Sequence, residues 1–171
     1  MYKILAMNIF KAMVPDKVYK SVNDIPLDDL VAEGKTCFLL DFDNTLGPDH
    51  ATEPTEYSFG FVNALKERGL KCCLVSNAST GRSSGIAEKL GIPCVTYAHK
   101  PRPDGINRAM KLMETGKDEC VMIGDQIFTD VIAGRFAGVR TLLVEKYSSR
   151  EIWYVVLKRP FEKLVRLIAR F

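Results

Sequence analysis

The middle of the chain alternates short apolar runs with segments whose apolar residues recur at helical spacing. Continuous apolar runs of this length are typical of buried strands. They predict five strands, at residues 36–42, 70–76, 93–97, 120–124 and 139–144. Helices are predicted between them, at residues 58–68, 84–90, 104–115 and 129–137. Asp104 is available as an N-cap. A glycine suited to helix termination follows each of the four helices: Gly69, Gly91, Gly116 and Gly138.

This alternation of strands with single helices predicts the fold class. Strand–helix–strand units specify an α/β fold, in which a central parallel sheet carries helices on both faces. The crossover connections are expected to be right-handed. Ligands of such sheets bind beyond the carboxyl ends of the strands. Functional residues are therefore expected directly after the strands.

The motif Asp41-Phe42-Asp43-Asn44-Thr45-Leu46 follows the first predicted strand. Acids at positions i and i+2 leave a strand on the same side. Because buried like charges repel, two acids at a buried strand end need a cation or a shared proton. An acidic turn is the alternative explanation, but turn acids seldom follow an apolar run so directly.

Three further strand ends carry polar residues suited to phosphate or metal binding. Ser76-Asn77 follows the second strand, where a hydroxyl and backbone N–H groups can hold phosphate oxygens. Lys100 follows the third strand and is a compact charge suited to a phosphate and a neighbouring carboxylate. Asp125 follows the fourth strand as an oxygen ligand for a hard divalent cation. Asp130 lies one helical turn further on, either as metal support or as a first-turn helix charge.

These motifs, D-x-D-N-T-L, Ser-Asn, K-P and G-D-Q-x-x-T-D, resemble in type and order those of the haloacid dehalogenase (HAD) phosphatase superfamily over residues 36–144. The resemblance implies a Rossmann-like HAD fold and hydrolysis of phosphomonoesters through an aspartyl-phosphate. Asp41 would be the nucleophile, and Asp43 would protonate the leaving oxygen and then activate water. Lys100 would offset negative charge on the nucleophile and the phosphoryl group. A dehalogenase-like relative would lack the acid at position 43, which favours a phosphatase.

The same resemblance implies a Mg²⁺ cofactor and a set of phosphate-binding residues. Asp41 and Asp125 would hold Mg²⁺ together with the backbone carbonyl of Asp43, and Asp130 would ligate it directly or through water. The phosphate oxygens would be held by Thr45, Ser76 and Asn77.

The spacing of the motifs leaves no room for a large cap domain. About a dozen residues separate Leu46 from the helix predicted at 58–68, and one helix and one strand fill the gap between Asn77 and Lys100. Even a small domain needs about 50 residues. We therefore expect a single domain, residues 1–171, with an open active site. An open site suits a phosphate carried on protein, nucleic acid or lipid.

Charge and composition change this picture at the two ends of the chain. The net charge of +3 comes from basic ends around a mildly acidic body. Basic ends suit an anionic partner, either lipid or nucleic acid, or simply keep the ends solvated. No apolar run approaches the roughly 20 residues that cross a bilayer, and residues 4–10 are not expected to form a signal peptide. The protein is expected in the cytoplasm, with its five cysteines as free thiols.

A basic amphipathic helix is predicted at about residues 157–171. Apolar residues recur at helical spacing from Leu157 to Phe171, and Pro160 suits the first turn. Such a helix is typical either of peripheral contact with a membrane or of packing on the sheet with its charges in water. Together with the motifs and the absent cap, it resembles subfamily IIIA of the HAD phosphatases, which includes phosphatidylglycerophosphate phosphatases and bacterial relatives. That resemblance implies phosphatidylglycerophosphate as a candidate substrate.

The sequence leaves other functions open. A phosphatase for nucleotides, nucleic-acid ends or phosphoprotein fits the basic ends, although few aromatic residues interleave them, so nucleic acid is not the expected partner. A non-catalytic, membrane-associated binding protein would be expected to lose Asp41 or Asp43. A phospho-accepting signalling domain has no use for Asp43 as an acid. The oligomeric state is not predicted.

Two further features are assigned structural roles. His50 and His99 are interpreted as loop residues, because the aspartate mechanism needs no imidazole. Residues 80–85 resemble a glycine-rich phosphate loop only loosely and lack its G-K-[ST] ending, so they are interpreted as a lead-in to a helix.

Overall fold

A computed structural model describes residues 10–148, 157 and 159–171 of the protein. A parallel sheet of six strands forms its centre, in the order β1-β6-β5-β2-β3-β4. The strands are β1 Lys17–Tyr19, β2 Cys37–Leu40, β3 Lys71–Val75, β4 Cys94–Val95, β5 Cys120–Gly124 and β6 Arg140–Val144. The helices are α1 Leu27–Ala32, α2 Glu56–Glu67, α3 Thr80–Leu90, α4 Asp104–Leu112, α5 Ile132–Ala137 and α6 Arg159–Ala169. The predicted α/β fold class is confirmed.

The two faces of the sheet bury separate apolar clusters. Phe38 and Leu40 of β2 join the cluster formed with α1, α2 and α3, whereas Leu39 joins the cluster formed with α4 and α5. This division follows from the alternation of side chains along a strand. Burying a side chain of this size stabilises the fold by about 1.5–3 kcal/mol. Burial on both faces explains why β2 is a continuous apolar run.

Three of the four predicted helix-terminating glycines have the expected conformation. Gly69, Gly91 and Gly138 have positive φ angles of 68°, 63° and 78°, which a glycine adopts without strain. The prediction for Gly116 is wrong: its φ is −85°, and the chain leaves α4 earlier, through Glu114 at φ 50°.

Two helix beginnings also differ from the prediction. Asp104 is the first residue of α4 rather than its N-cap, because Pro103 occupies the cap position. The interpretation of residues 80–85 as a helix lead-in is wrong, since α3 begins at Thr80 after the extended Ser79. A side chain at Gly81 or Gly85 would meet open space, so neither glycine is needed for close packing.

The apolar pattern did not predict β1 or α1. β1 has three residues, paired with β6 in the register Lys17↔Leu142 to Tyr19↔Val144. A segment of this length shows no measurable periodicity. The helix predicted at 129–137 begins earlier, as a π-helical turn at Ile127–Val131 that leads into α5.

The connections at the carboxyl edge of the sheet are short, as predicted. Within the described residues, a loop at 47–55 joins the β2 motif to α2, and α3 and β4 fill the gap between Asn77 and Lys100. No cap domain is inserted at either place. The extent of the domain, residues 1–171, stays a prediction, because residues 1–9, 149–156 and 158 lie outside the described part.

The predicted C-terminal helix is confirmed as α6, but its apolar residues do not form a buried stripe. It reaches the core through Val165, which packs with Ile127, Val131 and Leu143. Four large apolar residues of α6 are 52–76% exposed: Phe161, Leu164, Leu167 and Ile168. The helices in the described part of the chain are too short or too polar to cross a bilayer. The five cysteines are free, as predicted.

Candidate active site

The predicted site residues gather at the carboxyl edge of the sheet. Asp41, Ser76 and Asp125 directly follow β2, β3 and β5, which are neighbours in the sheet. The backbone N–H of Asp41 donates to the carbonyl of Ile123 at 2.9 Å, so the β2–β5 pairing runs up to the site. Because parallel strands end at one edge, residues far apart in sequence converge there.

Three buried carboxylates form what we call the acid cluster: Asp41, Asp125 and Asp130. One carboxylate oxygen of each lies within 4.8 Å of the others. Gly124 permits this approach, because a Cβ at that position would lie 2.3 Å from the Asp130 Cγ. Asp130 also accepts a hydrogen bond from the Gln126 N–H at 3.1 Å. Both roles considered for Asp130 are therefore compatible with its position, since it stabilises the turn and faces the other acids.

Lys100 inserts its ammonium group into the acid cluster. Its Nζ lies 2.6 Å from Asp41 Oδ1 and 2.7 Å from Asp130 Oδ1. Asn77 fixes the Lys100 backbone, because its side chain donates to the Lys100 carbonyl at 2.9 Å and accepts from the Lys100 N–H at 2.7 Å. Burial opposes the charge on Lys100, but Asp130 and Asp41 outweigh it and raise the lysine pKa. Lys100 therefore remains cationic inside the cluster.

The acids of the cluster are poorly solvated. Burial raises the pKa of Asp41 to about 7 against the opposing effect of Lys100, and the nearby Asp130 and Asp43 add to the rise. Burial also raises the pKa of Asp125, with further contributions from Asp130 and Asp41. Such shifts mean that the site stabilises a positive charge placed among these carboxylates.

Thr45 connects the two strand-end acids. Its hydroxyl oxygen lies 3.4 Å from Asp41 Oδ2 and 3.5 Å from Asp125 Oδ1. These two carboxylate oxygens therefore face the same small volume. Ser76, at the end of β3, accepts hydrogen bonds from the Ala78 N–H at 3.1 Å and from the Ser83 hydroxyl at 3.0 Å.

Asp43 lies outside the acid cluster, in an ion pair with Arg82 of α3. Arg82 donates from Nη1 to Oδ1 at 2.6 Å and from Nη2 to Oδ2 at 2.5 Å, and the His50 N–H donates to Oδ1 at 3.0 Å. Arg82 is anchored in turn by the Ala51 carbonyl at 3.2 Å. Sequence reasoning did not assign this role to Arg82. His50 itself is exposed and in a loop, as predicted.

A second unpredicted arginine reaches the site from α6. Arg159 donates to Asp125 Oδ2 at 2.5 Å and to the Asp125 carbonyl at 3.0 Å. It also pairs with Glu162, one turn along the same helix, at 2.8 Å. The helical spacing of Arg159 and Glu162 is the only sequence signal for this contact, since both lie in a segment that resembles a solvated basic helix.

The composition of the acid cluster fits a hard divalent cation. Its three carboxylates contact two cationic groups, Lys100 and Arg159, in the described part of the chain. The excess of negative charge and the purely oxygen donors suit Mg²⁺. Asp41, Asp125 and Asp130 are the residues that would hold it. The carboxylate of Asp43 is not among them, which is compatible with the prediction that only its backbone carbonyl takes part.

The sheet and the acid cluster together define an α/β protein with a charged site at the carboxyl edge of its strands. The sequence model of the haloacid dehalogenase-like hydrolases matches residues 17–138. Because the match covers more than half of the chain, the protein belongs to this hydrolase family. The prediction of a HAD-family hydrolase is thereby confirmed, while membership of subfamily IIIA stays a prediction.

Two curated relatives and one solved structure illustrate the similarity. The chain is 33% identical over 155 residues to the probable phosphatase YqeG of Bacillus subtilis, covering 91% of this chain and 90% of that protein. It is 32% identical over 109 residues to the putative pyrophosphatase PpaX of Caldanaerobacter subterraneus, covering 58% of this chain and 44% of that protein. A single mutant of the thermostable NPPase from Geobacillus stearothermophilus shares the fold, with a TM-score of 0.54 at 17% identity over 75% of this chain and 93% of that one.

Proposed function

We propose that the protein is a Mg²⁺-dependent phosphomonoester hydrolase that works through an aspartyl-phosphate on Asp41. The observation that carries the proposal is the ion pair of Lys100 with Asp41 beside two further buried carboxylates. A nucleophilic carboxylate needs its charge offset before a phosphate dianion can approach it. The description of YqeG as a probable phosphatase supports the same reaction.

In the first step, an Asp41 carboxylate oxygen attacks phosphorus while the bond from phosphorus to the leaving oxygen breaks. Lys100 stabilises the negative charge on the transferred group, and bound Mg²⁺ would supply further positive charge as a Lewis acid. Thr45 and Ser76 hold phosphate oxygens through their hydroxyl groups, and Asn77 helps through its backbone N–H. Asp43, in its protonated form and released from Arg82, gives its proton to the leaving alkoxide.

In the second step, the Asp43 carboxylate takes a proton from a water molecule that attacks the aspartyl-phosphate. The bond between phosphorus and the Asp41 oxygen breaks, inorganic phosphate leaves, and Asp43 is again protonated. The exposure of Asp43 supports this role, because its side chain is 24% accessible against 11% for Asp41. Water can reach the outer acid more readily than the nucleophile.

We extend the proposal to a phosphate carried on an anionic lipid surface, with phosphatidylglycerophosphate as the candidate. The open edge of the sheet supports a large carrier. Helix α6 supports a lipid, because four of its apolar side chains are exposed, Lys163 and Arg170 are exposed beside them, and Glu162, its one acid, is buried. An apolar face bordered by positive charge suits the headgroup region of an anionic bilayer. Since Arg159 contacts Asp125, helix α6 begins at the edge of the site.

The test measures release of inorganic phosphate from three substrates, with Mg²⁺ and with EDTA. The substrates are an aryl phosphate, a short-chain soluble phosphatidylglycerophosphate, and the same headgroup in anionic vesicles. Asp41→Asn is the test variant, and Asp29→Asn on α1 is a matched control at an exposed position. We expect magnesium-dependent release that falls by at least about 10³-fold in Asp41→Asn and is unchanged in the control.

Each pattern of release has a separate meaning. Release that persists in Asp41→Asn would remove Asp41 as the nucleophile, and release that persists in EDTA would remove the metal. Preference for vesicles over the soluble headgroup supports the lipid surface. Equal rates on both would instead restrict the specificity to the headgroup. In a parallel assay with nucleotides and nucleic-acid ends, release from these alone would favour the nucleic-acid alternative.

A further inference from the structure

Helix α6 contacts the part of the site that carries Asp125. Arg159, the first residue of α6, binds both the carboxylate and the backbone carbonyl of Asp125, at 2.5 and 3.0 Å. These two contacts come from one guanidinium group and reach two different parts of the same residue. Planar recognition of this kind fixes orientation as well as charge, which a lysine does less well.

Glu162 makes a second connection from α6 to the same turn. Its Oε1 accepts hydrogen bonds from the N–H groups of Ile127 at 2.8 Å and Phe128 at 3.3 Å. Its Oε2 accepts from Arg159 at 2.8 Å. Glu162 is 4% exposed, so its carboxylate depends on these partners for the interactions that water would otherwise provide. The first N–H groups of the π-helical turn are thus satisfied by a side chain from a distant helix.

The two carboxylate oxygens of Asp125 have different partners. Oδ2 is bound by Arg159, whereas Oδ1 lies near the Thr45 hydroxyl on the side that also holds Asp41 Oδ2. The Asp125 side chain is fully buried, so its partners are protein groups rather than bulk water. Removing Arg159 would leave the carboxylate free to rotate or to pair elsewhere within the cluster.

We infer that Arg159 and Glu162 are positioning residues for the metal-binding carboxylate of Asp125, which makes α6 a working part of the metal site. This inference rests on the proposed Mg²⁺ site. Neither residue touches the nucleophile in the described contacts. Outer partners of metal-binding carboxylates commonly change metal affinity by about 10- to 100-fold when they are removed.

A different role for Arg159 predicts the opposite sign. If its positive charge only replaced a cation, Arg159 would compete with Mg²⁺, and its removal would tighten binding. If Arg159 positions Asp125, its removal weakens binding. The sign of the change therefore separates positioning from competition.

The experiment measures the Mg²⁺ dissociation constant of the full chain by calorimetry, without substrate. The variants are Arg159→Gln, Arg159→Lys and Glu162→Gln. Arg166→Gln is the matched control, because Arg166 lies on the same helix and pairs with Glu145 rather than with the site. Amide hydrogen exchange at Ile127 and Phe128 is followed in the same proteins.

We expect Arg159→Gln to weaken Mg²⁺ binding by about 10-fold or more, Arg159→Lys to recover part of the loss, and Arg166→Gln to change nothing. We expect Glu162→Gln to speed exchange at the amides of Ile127 and Phe128, a change that a general loss of charge on α6 would not produce.

Unchanged or tighter Mg²⁺ binding in folded Arg159→Gln overturns the inference and leaves the proposed function standing. A wild-type protein that binds no Mg²⁺ overturns both. Mg²⁺ binding without phosphatase activity in the wild type overturns only the proposed function.

Discussion

Asp41 and Asp43 stand two residues apart, yet the structure gives them different surroundings. Asp41 belongs to the acid cluster, where it shares the Lys100 ammonium with Asp130. Asp43 belongs to an outer pair with the Arg82 guanidinium, where it has greater access to water. The two acids leave β2 from the same strand end. Their difference comes from the partners that other elements bring to them.

This difference separates two tasks that carboxylates perform in phosphoryl transfer. The acid cluster has more negative charge than its two cations neutralise, so it favours a bound cation, which would in turn attract an anionic substrate. The outer pair is more accessible to solvent, which suits an acid that exchanges protons with water once it is released from Arg82. Environment, rather than residue type, separates the proposed nucleophile from the proposed acid.

The largest expected effect that tests this division comes from Asp43→Asn. If Asp43 protonates the leaving oxygen, the variant should lose about 10²- to 10⁴-fold in kcat on an alkyl phosphate. The loss should be smaller on an aryl phosphate, because a phenolate leaves without a proton more easily than an alkoxide. The measurement is the ratio of kcat on the two substrates in wild type and variant.

Asp41→Asn provides the comparison for that ratio. A nucleophile is needed for either leaving group, so its loss should lower both rates alike. An Asp43→Asn variant that loses the same factor on both substrates would show that Asp43 does not act on the leaving group, and the division between inner and outer acids would fail.

The inner part of this comparison could be predicted from the sequence. Asp41 and Asp125 follow buried apolar runs, and the rule that parallel strands end at one edge brings them together without knowledge of the loops. Lys100 also follows a strand, and its contact with Asp41 confirms the predicted proximity across 59 positions of sequence. The roles of these residues in catalysis stay predictions.

The outer partners could not be predicted, for physical reasons. Arg82 lies in the first turns of α3, where the glycines at 81 and 85 obscured the helical pattern. Arg159 and Glu162 lie on α6, whose charge pattern indicates a solvated helix, and their importance depends on the way α6 docks. Side-chain periodicity predicts which face of a helix is apolar. It does not predict that this helix buries Glu162 while four of its large apolar residues stay exposed.

A pair of substitutions tests the same comparison through stability. Lys100→Met leaves the buried Asp41 and Asp130 without their shared cation, and we expect it to lower the free energy of unfolding by about 3–5 kcal/mol. Arg82→Met leaves Asp43 more accessible to water, and we expect a loss of about 1 kcal/mol. The measurement is urea denaturation in EDTA. Equal losses would mean that burial does not distinguish the two sites.

A pH dependence of stability is also expected in the metal-free protein. The pKa of Asp41 is raised by burial from its ordinary value of 3.8 to about 7, so the folded state holds this proton more tightly than the unfolded chain does. The stability that Asp41 contributes is therefore fully present below pH 3.8 and is lost as the pH rises through about 7. We expect the free energy of unfolding of wild type, minus that of Asp41→Asn, to fall over this window in EDTA. Taking the difference between the two proteins removes the titration of groups remote from Asp41, which the two proteins share. Mg²⁺ binds the ionised carboxylate, so saturating Mg²⁺ should oppose the fall.

A difference that stays level in EDTA would show that Asp41 is already held ionised by Lys100. The acid cluster would then resemble the outer pair more closely than burial suggests.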